Sequence, residues 1–271
     1  MESAVFELAR YRVVVRGGGD LASGAVCRLV RAGFRVAVLE LDAPLLVRRS
    51  VCYGEAVFSG VCVVEGITAR RSNVEDAEAV MQAGAVPVIV DAGGASLSAL
   101  RPDVLVDARM EKRNLGTRMA DAPVVIALGP GFCAGEDCHA VIETNRGHFL
   151  GRAIYQGSAE PDTGEPGSIG SHTHTRVLRA PADGHVTAYA AIGDLIEHGA
   201  QVAMVGGQPV LAPFRGMLRG IIHERVAVRA GTKIGDLDPR AQREHCFTIS
   251  DKSFSVGGGV LEAALHLLVS R

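Results

Sequence analysis

The residues best placed to do chemistry form a short glycine turn, Gly17-Gly18-Gly19-Asp20, between an apolar run and an amphipathic stretch. Arg12 to Val15 predicts a strand, Leu21 to Arg31 a helix that Gly33 closes, and Arg35-Val36-Ala37-Val38-Leu39-Glu40 a second strand. Within this β-turn-α-β unit Gly17, Gly19 and Ala22 meet the G-x-G-x-x-G/A spacing. Glycines there permit a tight turn and close backbone approach, and the helix start offers unpaired amides to a phosphate. Glu40 ends the second strand 21 residues after Gly19, where a carboxylate can bond a ribose hydroxyl. The alternative is a turn whose glycines serve packing alone.

Three further apolar runs end in polar or glycine-rich residues, as strands do at the carboxyl edge of a parallel sheet, where ligands bind. Pro87 to Val90 ends in Asp91-Ala92-Gly93-Gly94, Val104 to Val106 in Asp107-Ala108-Arg109, and Pro123 to Leu128 in Gly129-Pro130-Gly131. Arg109, Lys112, Arg113 and Asn114 fall near that edge, either as a clamp for an anion or as the solvated start of the next helix.

The elements that must carry these groups fall in two halves. From residue 180 the chain repeats at an offset of 32: Ala180-Pro181 returns as Ala212-Pro213, Gly184 as Gly216, Gly199 as Gly231 and Val202 as Ile234. Short β-rich stretches punctuated by Gly predict a small sandwich of interlocked halves resembling the lipoyl/biotinyl carrier fold. The turn between the halves, Val205-Gly206-Gly207-Gln208-Pro209, lacks the modifiable lysine of those carriers, so no lipoyl or biotin is expected. The expected class is α/β: a Rossmann-like parallel-sheet domain (1–154), a linker or interdomain loop (155–178), a β-rich barrel-sandwich, lipoyl/biotinyl-like domain (179–240), and a C-terminal segment (241–271) whose helix packs on the first domain.

Composition narrows the partners. The 271 residues carry a formal net charge of −2, which gives no global field toward nucleic acid or an acidic membrane. Six cysteines without a CxxC pair read as reduced thiols, and residues 1–7 lack the basic and apolar regions of a signal peptide, so a cytoplasmic protein without a membrane span is expected. Cys133, Cys138 and His139 fit no zinc spacing, and His172 and His174 have no evident third ligand, so no metal is expected. No Ser/His/Asp triad or carboxylate pair stands out for acid-base catalysis.

Several stretches resemble the accessory proteins of selenium-dependent molybdenum hydroxylases, the YqeB-type maturation family related to XdhC-like proteins. They are Arg16 to Gly24 (RGGGDLASG), Pro44 to Arg49 (PLLVRR), Val64 to Ala69 (VEGITA), Lys112 to Thr117 (KRNLGT), and Gly129 to Thr144, which opens on GPGFCAG and ends on HAVIET. The resemblance implies a role in maturing a molybdenum hydroxylase partner. A nucleotide or the phosphate-bearing molybdenum cofactor would then sit on Gly17 to Asp20, with Arg48, Arg49, Lys112 and Arg113 as its anion partners. Cys133, between glycines, is either a thiolate able to carry a chalcogen or an inert small residue. The competing reading is an NAD(P)-dependent oxidoreductase, resting on Gly17, Gly19, Ala22 and Glu40.

Overall fold

The computed structural model describes residues 7–162 and 175–270. Its largest sheet has nine strands. Seven are β1 (Arg12–Arg16), β2 (Arg35–Glu40), β3 (Val61–Val64), β4 (Ile67–Ser72), β5 (Val86–Val90), β6 (Val104–Asp107) and β7 (Val124–Leu128), and the short β8 (Ala140–Ile142) and β9 (Ala153–Ile154) complete it. The order is β3-β4-β5-β2-β1-β6-β7-β8-β9. β4 to β8 run parallel, while β3 and β9 pair antiparallel at the two edges.

Alternation of apolar side chains divides the core across this sheet. Val13 and Val15 face one layer, with Ala25, Val26, Val256 and Val260, whereas Val14 faces the other, with Ala37, Leu105 and Val125. The first layer is built by two helices, α1 (Asp20–Ala32) and α5 (Asp251–Val269). Among the described residues between them, the α-helices are α2 (Ala56–Ser59), α3 (Ala77–Gln82) and α4 (Leu97–Leu100), too short to wind the sheet on both faces.

The second half forms two four-stranded antiparallel sheets. β10 (Val177–Arg179), β11 (Gly184–Ala188), β12 (Leu195–Ile196), β13 (Gln201–Val205) and β14 (Gln208–Leu211) precede β15 (Gly216–Ile221), β16 (Ala227–Val228) and β17 (Lys233–Asp238). The orders are β10-β17-β15-β12 and β14-β13-β11-β16, so each sheet draws strands from both copies of the repeat. They close over a separate core containing Val186, Val202, Leu218, Ile234 and Leu237, with Phe58 of the first half packed against it.

This corrects the expected fold class, a Rossmann-like parallel-sheet domain followed by a lipoyl/biotinyl-like barrel-sandwich. The large sheet is mixed, its crossovers after β2 are mostly loops and single helical turns, and one of its two long helices arrives from the C-terminus. The β-rich half is seated on the first half: a Cβ at Gly220 would strike the Val47 carbonyl, and Arg49 donates to the Ile221 carbonyl at 3.1 Å. Strand periodicity alone does not distinguish these arrangements, because it reports burial and not what covers the strand.

Helix α5 contains Gly257-Gly258-Gly259, a sequence that each glycine weakens by about 1 kcal/mol as a helix. Packing compensates. A Cβ on Gly24 of α1 would overlap the Ser253 carbonyl, and one on Gly257 would overlap the Gly24 carbonyl, so the two backbones touch. Ser250 caps α5, and Ser253 Oγ donates to Asp20 at 2.8 Å. Gly24→Val is expected to cost roughly 3 kcal/mol or more by forcing the helices apart. Gly258→Ala, whose Cβ meets nothing within 4 Å, should be neutral or stabilise by roughly 0.5–1 kcal/mol. Urea denaturation midpoints of the two variants check this contrast.

Candidate functional site

A cavity of about 340 Å³ opens at the carboxyl ends of the central strands, lined by the glycine turn, the start of α1, and residues after β2, β5 and β6. Its size suits a small ligand. The three turn glycines do different jobs. Gly17 has φ +95° and its Cβ would stand 2.9 Å from the Ala108 carbonyl; a Cβ on Gly18 would stand 2.7 Å from the Gly54 nitrogen. Both are demanded by neighbouring backbone. Gly19 is the N-cap of α1, receives no side-chain cap, and its Cβ would make only ordinary contact with Leu46 at 3.7 Å. Gly17 and Gly19 both line the cavity, but only Gly19, with the first-turn amides of α1, is free of a backbone packing demand and open to a ligand.

Glu40 lines the cavity with its carboxylate turned onto the protein: Oε2 accepts from Gly18 N–H at 2.6 Å and Oε1 from Leu41 N–H at 2.7 Å. Burial pushes its pKa up, against the two amides that favour the charged form. Each oxygen retains a lone pair, so a hydroxyl or amine donor could still bind. Asp20 also lines the cavity but is tied to Arg48 Nη1 at 2.9 Å and to Ser253.

The expected anion partners are largely committed elsewhere, which corrects that reading of Arg48 and Arg49. Arg48 is buried, ion-pairs with Asp20, and donates to the carbonyls of His245 (3.1 Å) and Thr248 (3.2 Å). Arg49 pairs with Glu55 at 3.0 Å as well as with Ile221. Neither lines the cavity. Lys112 pairs with Asp162 at 2.6 Å on the exposed surface.

Lys112, Arg113 and Asn114 instead meet the other motif that the sequence singles out. A Cβ on Gly131 (φ +100°) would overlap the Arg113 backbone, Gly129 (φ +72°) abuts Thr144 and Met110, and Asn114 donates to Asp137 at 3.0 Å. Asp137 accepts from Cys133 N–H at 2.8 Å. Of this loop pair Leu115 reaches the cavity lining, as do Met110 and Glu111 just before it, whereas Lys112, Arg113, Asn114, Gly129, Gly131 and Cys133 do not. Cys133 is half-buried; Cys138, fully buried, has its thiol pushed up to about 12 by desolvation and neighbouring acids. His172 and His174 lie outside the described residues. No cluster of three or more metal-ligating side chains occurs among the described residues.

Sequence reasoning missed Arg16, Asp107 and Thr117. Arg16 and Asp107 are register partners at the ends of β1 and β6, and both are buried. Thr117 Oγ1 donates to Asp107 at 2.7 Å, and Arg109 bonds Asp107 through Nε at 3.1 Å and through Nη2. The available signal was the charge that ends each otherwise apolar strand, RVVVR and VLVD.

Fold and site together describe an α/β chain with a ligand-sized cavity at the carboxyl edge of its central parallel strands. Over 257 residues, 94% of the chain, it is 49% identical to "Uncharacterized protein YqeB" of Escherichia coli (strain K12). The chain spans 48% of that relative's length, and the relative bears the name of the YqeB-type resemblance. No protein-family model matches. Similar solved structures include an aspartoacylase family protein of Mesorhizobium loti (10% identical, 84% of each chain, TM-score 0.27). Another is a succinylglutamate desuccinylase/aspartoacylase of Rhodobacter sphaeroides (12% identical, 84% of each chain, TM-score 0.27). At such scores the likeness carries no argument. Among the described residues no helix is long and apolar enough to cross a membrane.

Burial opposes ionisation of Asp107, but hydrogen bonds from Arg109 and Thr117, with the Arg109 charge, outweigh it and hold the carboxyl below the usual range. The stability that Asp107 contributes is thus present above the unfolded carboxyl value and is lost as pH falls through the depressed folded value. Asp107→Asn should destabilise by roughly 3–5 kcal/mol at neutral pH, as breaking a buried pair does. The gap to the parent protein should close in strong acid, read from denaturation midpoints across pH.

Proposed function

We propose that this chain is an accessory factor in the maturation of selenium-dependent molybdenum hydroxylases, with a nucleotide or a molybdenum-cofactor-like anion held in the cavity. The observation that carries the reading is the convergence, in one cavity, of the uncapped α1 start at Gly19 with Arg16 and Arg109. Free amides and guanidinium groups suit a phosphate, and Leu41, Leu45 and Leu115, all substantially exposed along the lining, suit the faces of a heterocycle. The motif resemblance supports the maturation role, and the relative named YqeB supports the resemblance on which that role rests. In this reading residues 1–154 and α5 carry the ligand, the β-rich half between 179 and 240 docks the hydroxylase partner, and the protein works in the cytoplasm.

A second reading, an NAD(P)-dependent oxidoreductase, is favoured by one observation: Glu40 lines the cavity at the end of β2 and keeps free lone pairs for a ribose.

Thermal unfolding with NAD, NADP, ATP, CTP and molybdopterin separates the two. A ligand at 100 times its Kd adds about 2.7 kcal/mol, and each kcal/mol raises the midpoint of a chain this size by about 2–4 °C. The expected result is a shift with CTP or molybdopterin that Gly19→Val abolishes while its circular dichroism stays native. A shift confined to NAD or NADP would establish the oxidoreductase reading instead, and no shift with any of the five would overturn the cavity assignment.

A further inference from the structure

Two guanidinium groups that line the cavity converge on one buried hydroxyl behind its wall. Arg16 Nη1 donates to Thr117 Oγ1 at 3.0 Å, and Arg109 Nη2 donates to the same oxygen at 3.1 Å. The Thr117 hydroxyl gives its own proton to Asp107. Its two acceptor lone pairs are then both in use, and one carboxylate serves two cations. Arg16 sends Nη2 to the Gly93 carbonyl at 3.1 Å, a neutral partner. Burial, with Arg109 next, lowers the Arg16 pKa, against Asp107, Asp121 and Asp91.

The other acids near the cavity are engaged or peripheral. Both Asp91 oxygens accept amides, from Gly94 and Ala95 on one side and Ser96 on the other. Asp20 is neutralised by Arg48, Glu40 is held by two amides, and Glu111 is exposed. Arg16 and Arg109 thus stand as the lining cations, sharing a single ion-paired carboxylate.

We infer that Arg16 and Arg109 form a two-pronged clamp that selects ligands carrying a phosphate, and that the phosphate enters toward β1 and β6 while an uncharged ring lies against the leucines of the mouth. The clamp rests on the cavity reading above but is distinct from the glycine turn: it assigns the anion to side chains rather than to the α1 amides. Arg109 spends Nε and Nη2 on Asp107 and Thr117, so its Nη1 group, with the protons Arg16 has left on Nη1 and Nη2, is what remains for phosphate oxygens.

Calorimetric titration of the full chain with cytidine, CMP, adenosine and AMP tests it, with Arg109→Leu, Arg109→Lys and Gly19→Val in parallel. CMP or AMP should bind at least tenfold tighter than its nucleoside. Arg109→Leu should erase that preference, with circular dichroism and the thermal midpoint reporting whether the variant is folded. Should Arg109→Leu fail to fold, Arg109→Lys, whose single ammonium keeps the charge but cannot hold both Asp107 oxygens and reach a phosphate as well, should reduce the preference severalfold. Equal binding of nucleotide and nucleoside by the parent protein would overturn the clamp and leave the cavity reading standing. A preference kept by the arginine variants and lost in Gly19→Val would move the phosphate to the α1 amides. No heat from any of the four probes, with no shift in the thermal panel, would remove clamp and cavity reading together.

Discussion

The buried guanidinium of Arg48 joins three parts of the chain that are remote in sequence. It pairs with Asp20 at the first turn of α1 and binds the carbonyls of His245 and Thr248, which lead into α5. Its neighbours continue the joint: Ser50 Oγ donates to the Cys246 carbonyl at 2.6 Å, and the Val47 carbonyl lies against Gly220 of β15. A buried ion pair adds little net stability, because desolvation offsets the Coulomb attraction, but leaving either partner alone is costly. Its consequence here is geometric. The loop held by Arg48 also carries Pro44, Leu45 and Leu46, one wall of the cavity. The β-rich half therefore braces the cavity without lining it.

This constraint explains why α1 and α5 tolerate so many glycines. With Asp20, Arg48 and Ser253 fixing the helix starts, the two backbones approach at Gly24 and Gly257 closely enough that side chains there would collide. Main-chain contact replaces side-chain interdigitation, in a protein whose aromatic content is only 4%. The same close approach recurs at Gly17 and Gly18, so most of the glycine turn serves assembly; of the two turn glycines that line the cavity, Gly17 and Gly19, only Gly19 has room for a side chain.

The cavity's electrostatics follow from register. Parallel pairing sets Arg16 beside Asp107 at the strand ends, and the chain after β6 then returns Arg109 and Thr117 to the same point. Charged groups so placed are expensive to bury alone and are retained as a network in which every member is hydrogen-bonded.

Residues 12–40 were legible as strand, turn, helix and strand because each rests on local chemistry: apolar alternation, a positive-φ glycine, a helix-closing Gly33 and a terminal acid. The 32-residue repeat was legible too, since equal spacing of Gly and aliphatic residues survives without knowledge of partners. The roles of Arg48 and Arg49 were not legible, because an arginine near a glycine turn reads as a ligand partner until a carbonyl nearly 200 residues away is known to claim it. Nor was the fold class: burial patterns mark strands but not the antiparallel edges or the distant helix that covers them. By itself the sequence determined the strand ends and the turn that could face a ligand. The tertiary structure alone decided which charges remain to face it, because that depends on carboxylates and carbonyls brought together by packing.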